Sequence, residues 1–316
     1  PLWEPIWPSL EPSLREIGPD SDYGSEREGV MLSSIAGHNL CCDVFGEHSD
    51  GEKVVGLDFH GEAGMLHWSV VSASPSKGIL VMEVDLPHTA ISIRRKYRLV
   101  CGSTHVVVEQ TLLNNVGFQR ALGVAQHVTL GHKFLLSTES PALFACNADK
   151  GQTWPKPNNK YPYSFKANES FNVPNIPALD GSFQDWARFP RNEPSGDLAT
   201  LRIRPDARFA WASAYQPRHG IVLAYAWERE AYPWLMTWEE NRSRKHKPWS
   251  GKSLARGLEF SSYAFATSRR ENIELGKLFE TPTFTWLDAY EELSTTFSFG
   301  VFQVGETKSI APGISI

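Results

Sequence analysis

From Val30 onward the chain breaks into short β-like runs, and this succession limits the possible folds more than any other feature of the sequence. VMLSSI, NLCCDVF, KVVGLDF, LHWSVVSAS, GILVMEVDL, AISIRRKYRLV, THVVVEQTLLNN and ALGVAQHVTL follow one another. They are rich in Val, Ile, Leu and Thr, and many alternate apolar with polar residues. Gly, Asn, Asp or Pro punctuates them about every 8–12 residues, which is the pattern of an all-β sandwich or barrel. The runs resume in ATLRIRPD, RFAWASAY, GIVLAYAWE, WLMTWEE and LARGLEFSSYAFA, and close with TFTWLDAY and ELSTTFSFGVFQV, leaving KSIAPGISI as a tail. SRRENIELGKLFE reads as a short helix, with Ser268 as N-cap and Glu271 completing a capping box. No repeat or linker divides the chain. Residues 30–316 therefore read as one domain, preceded by an irregular Pro-rich arm, residues 1–29, that Trp3 and Trp7 pin to the body.

Composition narrows the function classes. Hydrophobic residues at 41% and charged residues at 21% describe a globular chain able to bury a large core. A net charge of −5 argues against nucleic acid as a partner, because phosphates call for a basic surface. Cys41 and Cys42 are adjacent while Cys101 and Cys146 are remote, which suits neither a disulfide framework nor a metal site and points to a reduced, cytoplasmic setting. No apolar run approaches the roughly 18 residues of a membrane span, and the N-terminus PLWEPIWPSL lacks the basic start and apolar core of a signal segment. GxGxxG, GxxxxGK[ST] and GxSxG are absent, and His127 and His132 lie five positions apart rather than in HExxH spacing. The expectation is an activity with no cofactor and no metal.

Three stretches hold candidate ligand contacts. Trp238–Phe260, WEENRSRKHKPWSGKSLARGLEF, sets Trp238 and Trp249 among Glu239, Glu240, Asn241, Arg256 and Glu259. Indole faces beside polar groups of both signs suit a sugar, whose C–H faces stack while its hydroxyls need donors and acceptors. In TAISIRRKYRLV, strand alternation puts Arg95 on an apolar face with Ile91 and Ile93, as a ligand contact or an internally paired cation. Lys150–Ser195 is dense in Pro, Asn and aromatic residues and reads as long loops, in which Trp154, Tyr161, Tyr163 and Trp186 could wall a pocket or anchor the loop.

His60, in HGEAG, and His127, in ALGVAQHVTL, end strands, where a β scaffold presents chemistry. A His facing a Glu forms an acid/base pair that moves protons on and off oxygen without a cofactor. Glu259 is the best placed carboxylate, because alternation sends Leu258 and Phe260 to the other face and Gly257 beside it leaves room for a ligand.

HGEAG at 60–64, LLNNVGFQRALGVAQHVTLG at 112–131 and RGLEF at 256–260, in that order, make the chain resemble the aldose 1-epimerase (galactose mutarotase-like) superfamily, over about residues 30–304. The resemblance implies a β-supersandwich of large antiparallel sheets with the sugar in an open cleft across one of them. It implies that His127 protonates the ring oxygen, that Glu259 takes the proton of the anomeric hydroxyl, and that His60 contacts the sugar. Arg95, His132, Trp238, Glu239, Asn241, Trp249 and Arg256 complete the expected substrate contacts, with Arg256 or Arg95 keeping Glu259 ionised. The resemblance is incomplete. The early element reads His-Gly-Glu rather than His-Gly-Gly, and His127 is followed by VTLGHKF rather than Pro-Tyr-Phe.

The expected partner is thus a small carbohydrate, neutral or acidic, bound by a monomer or homodimer away from membranes and nucleic acid. Two alternatives stand beside an epimerase. One is a binding module indifferent to His127; the other is a lyase or hydrolase with two carboxylates drawn from Glu239, Glu240 and Glu259.

Overall fold

The computed structural model describes residues 1–9, 22–23, 26–99, 101–136, 138–157 and 161–304. Two antiparallel sheets stack face to face. The first runs in the order His38–Cys42, Val124–Gly131, Leu254–Gly257 continued by Glu259–Ser261, Trp234–Asn241, Ser195–Ile203, Ala148–Thr153, Ser170–Asn172. The second runs Arg188–Phe189, Ala142–Cys146, Phe209–Gln216, Ile221–Glu228, Glu292–Gln303, His105–Asn114, Ile91–Leu99, Ile79–Leu86, Ser69–Ser74. The all-β expectation holds.

Alternation along each strand builds the core. Leu40, Val128, Leu130, Leu201, Leu235 and Phe260 of the first sheet are buried in one cluster with Val84, Ile93, Val108, Leu112, Trp227 and Phe297 of the second. Phe260 marks the centre: its ring stacks on Trp227 at 4.3 Å and meets Phe297 edge-on at 5.4 Å.

Two arginines sit inside this core, each held by polar partners through part of its guanidinium. Arg95 donates to Gln110 Oε1 at 2.8 Å and Gln126 Oε1 at 2.6 Å, and lies over the Trp68 ring. Amides rather than a carboxylate receive it, and it ties the sheets together. Arg256 is fully buried; its Nη1 is 3.0 Å from Glu239 Oε1, its Nη2 donates to Trp186 O, and its guanidinium lies over Phe144 at 4.1 Å. Arg191 donates twice to the same Glu239 carboxylate, at 2.8 and 3.0 Å.

Several local expectations give way. Glu26–Leu32 is a helix, so the stretch at the end of the expected arm and the start of VMLSSI is not irregular-then-strand. KVVGLDF is not a strand: Ser49 caps a helical turn, Asp50–Val54, in a capping box with Glu52. Within Lys150–Ser195, read as loops, Ala148–Thr153 and Ser170–Asn172 join the first sheet, and Asn175–Pro177 pairs with Phe183–Asp185. Ser268 does cap the helix Arg269–Leu275, accepting from Glu271 N. Trp3 and Trp7 are buried as expected, whereas residues 10–21 of the arm and the KSIAPGISI tail lie outside the described residues. No helix among the described residues is long and apolar enough to cross a membrane.

Removing one partner of a buried ion pair strands the other charge. Glu239→Gln, which leaves Arg256 and Arg191 facing a neutral amide, is expected to lower the unfolding free energy by about 3–5 kcal/mol in urea denaturation at neutral pH.

Candidate active site

The outer face of the first sheet, turned away from the core, floors a cavity of about 260 Å³. His127, Thr129, Met236, Trp238 and Glu259 line it from the strands. Register brings the key pair together. Gly257 pairs with Thr129 and Phe260 with Gln126, so Glu259 falls opposite His127 on adjacent strands. His127 Nε2 lies 3.5 Å from Glu259 Oε1. Asn39, paired with His127 on the other side, also lines the cavity.

The expectation that Gly257 gives a ligand room is replaced by another role. A Cβ at Gly257 would lie 2.0 Å from Glu259 Oε1, so the missing side chain is the space the carboxyl occupies. Glu259 Oε1 is buried and accepts no hydrogen bond from the protein. Left without a partner in a dry site, such an oxygen is costly unless the group is neutral or a ligand supplies a donor.

Both histidines are oriented from behind. His127 Nδ1 is 3.0 Å from Thr129 Oγ1, two residues along the same strand face. His60 takes a left-handed backbone at φ 63° and receives the Gly46 N–H on Nδ1 at 3.2 Å, with Cys41 Sγ at the same distance. Because Nδ1 accepts, the neutral His60 ring carries its proton on Nε2. The His60 and His127 rings meet edge-on, with centroids 4.9 Å apart. Glu62, which replaces the second glycine of the early motif, faces elsewhere and accepts from Thr89 N, Thr89 Oγ1 and His88 N.

Burial dominates the electrostatics. Desolvation pulls His127 down to about 4 and His60 well below its ordinary value, and pushes Glu259 well above the usual carboxylate range. Arg256 and Arg95 lie on the core side of the sheets and do not hold Glu259 ionised, contrary to expectation. Burial therefore favours the uncharged form of each member of the pair, a carboxyl group beside an imidazole.

The expected contacts divide. His60, His127, Glu259, Trp238 and Trp249 line the cavity, and so do Trp154, Tyr161 and Tyr163 of the long loop. Arg95, Glu239 and Arg256 are core ion and hydrogen-bond partners, and Trp186 is buried behind the sheet, donating to Thr237. Asn241 is buried and donates to Arg191 O and Glu193 O. His132 is exposed on the short helix His132–Leu135. Glu240 accepts from Ser243 N, Ser243 Oγ and Arg244 N, so neither Glu239 nor Glu240 is available on the cavity wall for a two-carboxylate mechanism.

Thr129, Cys41, Asn39 and Trp3 were not named as site residues from sequence. Thr129 shares the parity of His127 and was within reach of pattern reasoning. Cys41 and Asn39 arrive through a strand pairing, and Trp3 through docking of a distant segment.

The sheet arrangement has counterparts among solved structures. A proposed aldose 1-epimerase from Klebsiella pneumoniae superposes with a TM-score of 0.65 at 13% identity, covering 95% of this chain and 70% of that one. The chain has the galactose mutarotase-like fold. A galactose mutarotase-like protein from Clostridium acetobutylicum matches at TM-score 0.56 and 15% identity, over 84% of this chain and 79% of that one. A galactose mutarotase related enzyme from Lactobacillus acidophilus matches at 0.56 and 13%, over 86% and 85%. No family model matches the sequence, and no curated protein does. Within this mutarotase-like fold the cavity lies on the outer face of one sheet.

A depressed histidine stabilises the fold above its ordinary value of 6.5, and that contribution is lost as pH falls through its folded value; for His127 the window is pH 6.5 to about 4. Glu259, raised, has the opposite sign: its contribution is present at low pH and is lost as pH rises through its folded value. His127→Asn removes the histidine's share. Urea denaturation at pH 7 and pH 4.5 is expected to show the variant gaining about 2–3 kcal/mol relative to wild type on acidification. An unchanged difference between the two proteins would mean that His127 is not held neutral.

Proposed function

We propose that the protein is a carbohydrate epimerase of the aldose 1-epimerase type, interconverting anomers of a sugar or sugar acid by ring opening. The observation that carries this reading is the His127–Glu259 contact, 3.5 Å, on the cavity floor with Glu259 Oε1 unsatisfied by the protein. Ring opening needs one group to take the proton of the anomeric hydroxyl and another to give a proton to the ring oxygen. The pair holds the single proton this exchange requires.

The steps follow from the site's electrostatics. A sugar hydroxyl donating to Glu259 Oε1 supplies the missing partner and stabilises the carboxylate. The proton passes to His127 Nε2, whose ring Thr129 holds in line from Nδ1. Glu259 then takes the anomeric proton while His127 protonates the ring oxygen. The open aldehyde rotates about C1–C2, and closure on its other face reverses both transfers. His60, with its proton on Nε2, donates to a substrate oxygen, and Trp238 and Trp249 offer indole faces to the sugar's C–H surface. The chemistry fits a soluble setting and a small-molecule substrate, acidic sugars included.

Anomer exchange of freshly dissolved α-D-glucose, α-D-galactose and D-glucuronate, followed by polarimetry or NMR, is expected to be faster with the protein. His127→Ala and Glu259→Gln should each reduce the acceleration roughly 100-fold or more. Gly257→Ala, which displaces the Glu259 carboxyl, should do the same while the protein stays folded. No acceleration across these sugars would remove the epimerase reading.

A further inference from the structure

The N-terminal residues reach the cavity, and nothing in the acid/base chemistry requires them there. Pro1–Trp3 continue the sheet beside the strand that carries His127. Trp3 N donates to Thr129 O at 2.8 Å, Gly131 N donates to Pro1 O at 3.2 Å, and Gly37 N donates to Trp3 O at 2.8 Å. Thr129 is the residue whose side chain holds His127, so the arm is bonded to the backbone of the residue that orients the acid/base pair.

From that anchor the Trp3 side chain crosses to the other wall. Its indole stacks on Trp249 with centroids 6.1 Å apart and planes 12° from parallel. Trp7 closes edge-on against both rings, at 5.4 and 5.0 Å, and its own N–H is spent on Leu32 O at 2.8 Å. Trp249 in turn supports Arg244, whose guanidinium lies 4.6 Å from its ring centroid, 5.1 Å from Trp238 and 4.9 Å from Tyr161. Trp3, Trp238, Arg244 and Trp249 all line the cavity.

The loop holding Arg244 and Trp249 has left-handed backbone at Arg242 and Ser250, so its path is unfavourable for those side chains and relies on outside contacts. A guanidinium packed among rings keeps its N–H edges in one plane, which suits sugar hydroxyls or a sugar carboxylate, provided the rings themselves are fixed. Trp3 and Trp7 fix Trp249.

We infer that the N-terminal segment Pro1–Trp7 is a specificity-determining part of the cleft, with Trp3 holding Trp249 and Arg244 where they meet the carbohydrate. This rests on the epimerase reading for the identity of the ligand. Trp3 and Trp7 act through Trp249 and are positioning residues. Their loss weakens sugar binding more than it slows proton transfer, because His127 and Glu259 are held by strands that remain paired.

The test is anomer exchange by NMR, with KM and kcat resolved, on wild type, Trp3→Ala, Trp3→Phe and Trp7→Ala, using D-glucose, D-galactose, D-glucuronate and D-glucose 6-phosphate. Trp3→Ala is expected to raise KM about tenfold or more with a smaller fall in kcat, Trp7→Ala to shift KM in the same direction, and Trp3→Phe to recover part of the loss. The order of preference among the four sugars should change in Trp3→Ala. Folding is checked separately by thermal melting, and the ratio KM(variant)/KM(wild type) is read only below the melting transition. Trp3→Ala with the wild-type KM and sugar preference overturns the inference and leaves the epimerase reading intact. Wild-type protein inert toward all four sugars overturns the epimerase reading, and the role of Trp3 with it.

Discussion

The pairing of Val124–Gly131 with the strand around Glu259 is the constraint on which the site and the core both depend. One register sets Glu259 against His127 on the outer face and Phe260 beside Gln126 on the inner face. A slip of one residue would exchange the faces, sending the carboxyl into the aromatic cluster around Trp227 and Phe297 and the phenyl ring into the cavity. Because Phe260 packs in that cluster, core packing also specifies the geometry of the His127–Glu259 pair.

The two faces of that sheet treat charge differently. On the inner face Arg256, Arg191 and Glu239 are paired with one another at 2.8–3.0 Å. On the outer face His60, His127 and Glu259 are buried without an opposite charge, and desolvation drives them to their neutral forms. Arginines that sequence parity brought close to Glu259 therefore have no part in its ionisation. They stabilise the scaffold, and the protonation of His127 and Glu259 is set by burial.

Much of the fold was legible in the sequence because strand alternation and turn residues are local signals. Arg95 facing inward with Ile91 and Ile93, and Glu259 opposite in parity to Phe260, both follow from a period of two. KVVGLDF was misread because Val54, Val55 and Leu57 look like a strand, while Ser49 and Glu52 form a local cap that turns the backbone helical. The charged residues near Trp238 were misassigned for a different reason. Glu239, Asn241 and Arg256 alternate with cavity-facing residues, and only the position of the second sheet decides which parity is inside. Lys150–Ser195 escaped because its strands are short: Ala148–Thr153 and Ser170–Asn172 form by adding to the first sheet, and Asn175–Pro177 pairs only with Phe183–Asp185.

The stacking of Trp3 on Trp249 joins residues 246 positions apart, across a ladder that itself sets Glu259 opposite His127, 132 positions earlier. Contacts of such high sequence separation carry the largest loop-closure cost and form late. The aromatic wall is therefore expected to assemble after the strands it bridges have paired. An intact aromatic wall then reports on completion of the fold, because chains whose distant segments have not met cannot form it.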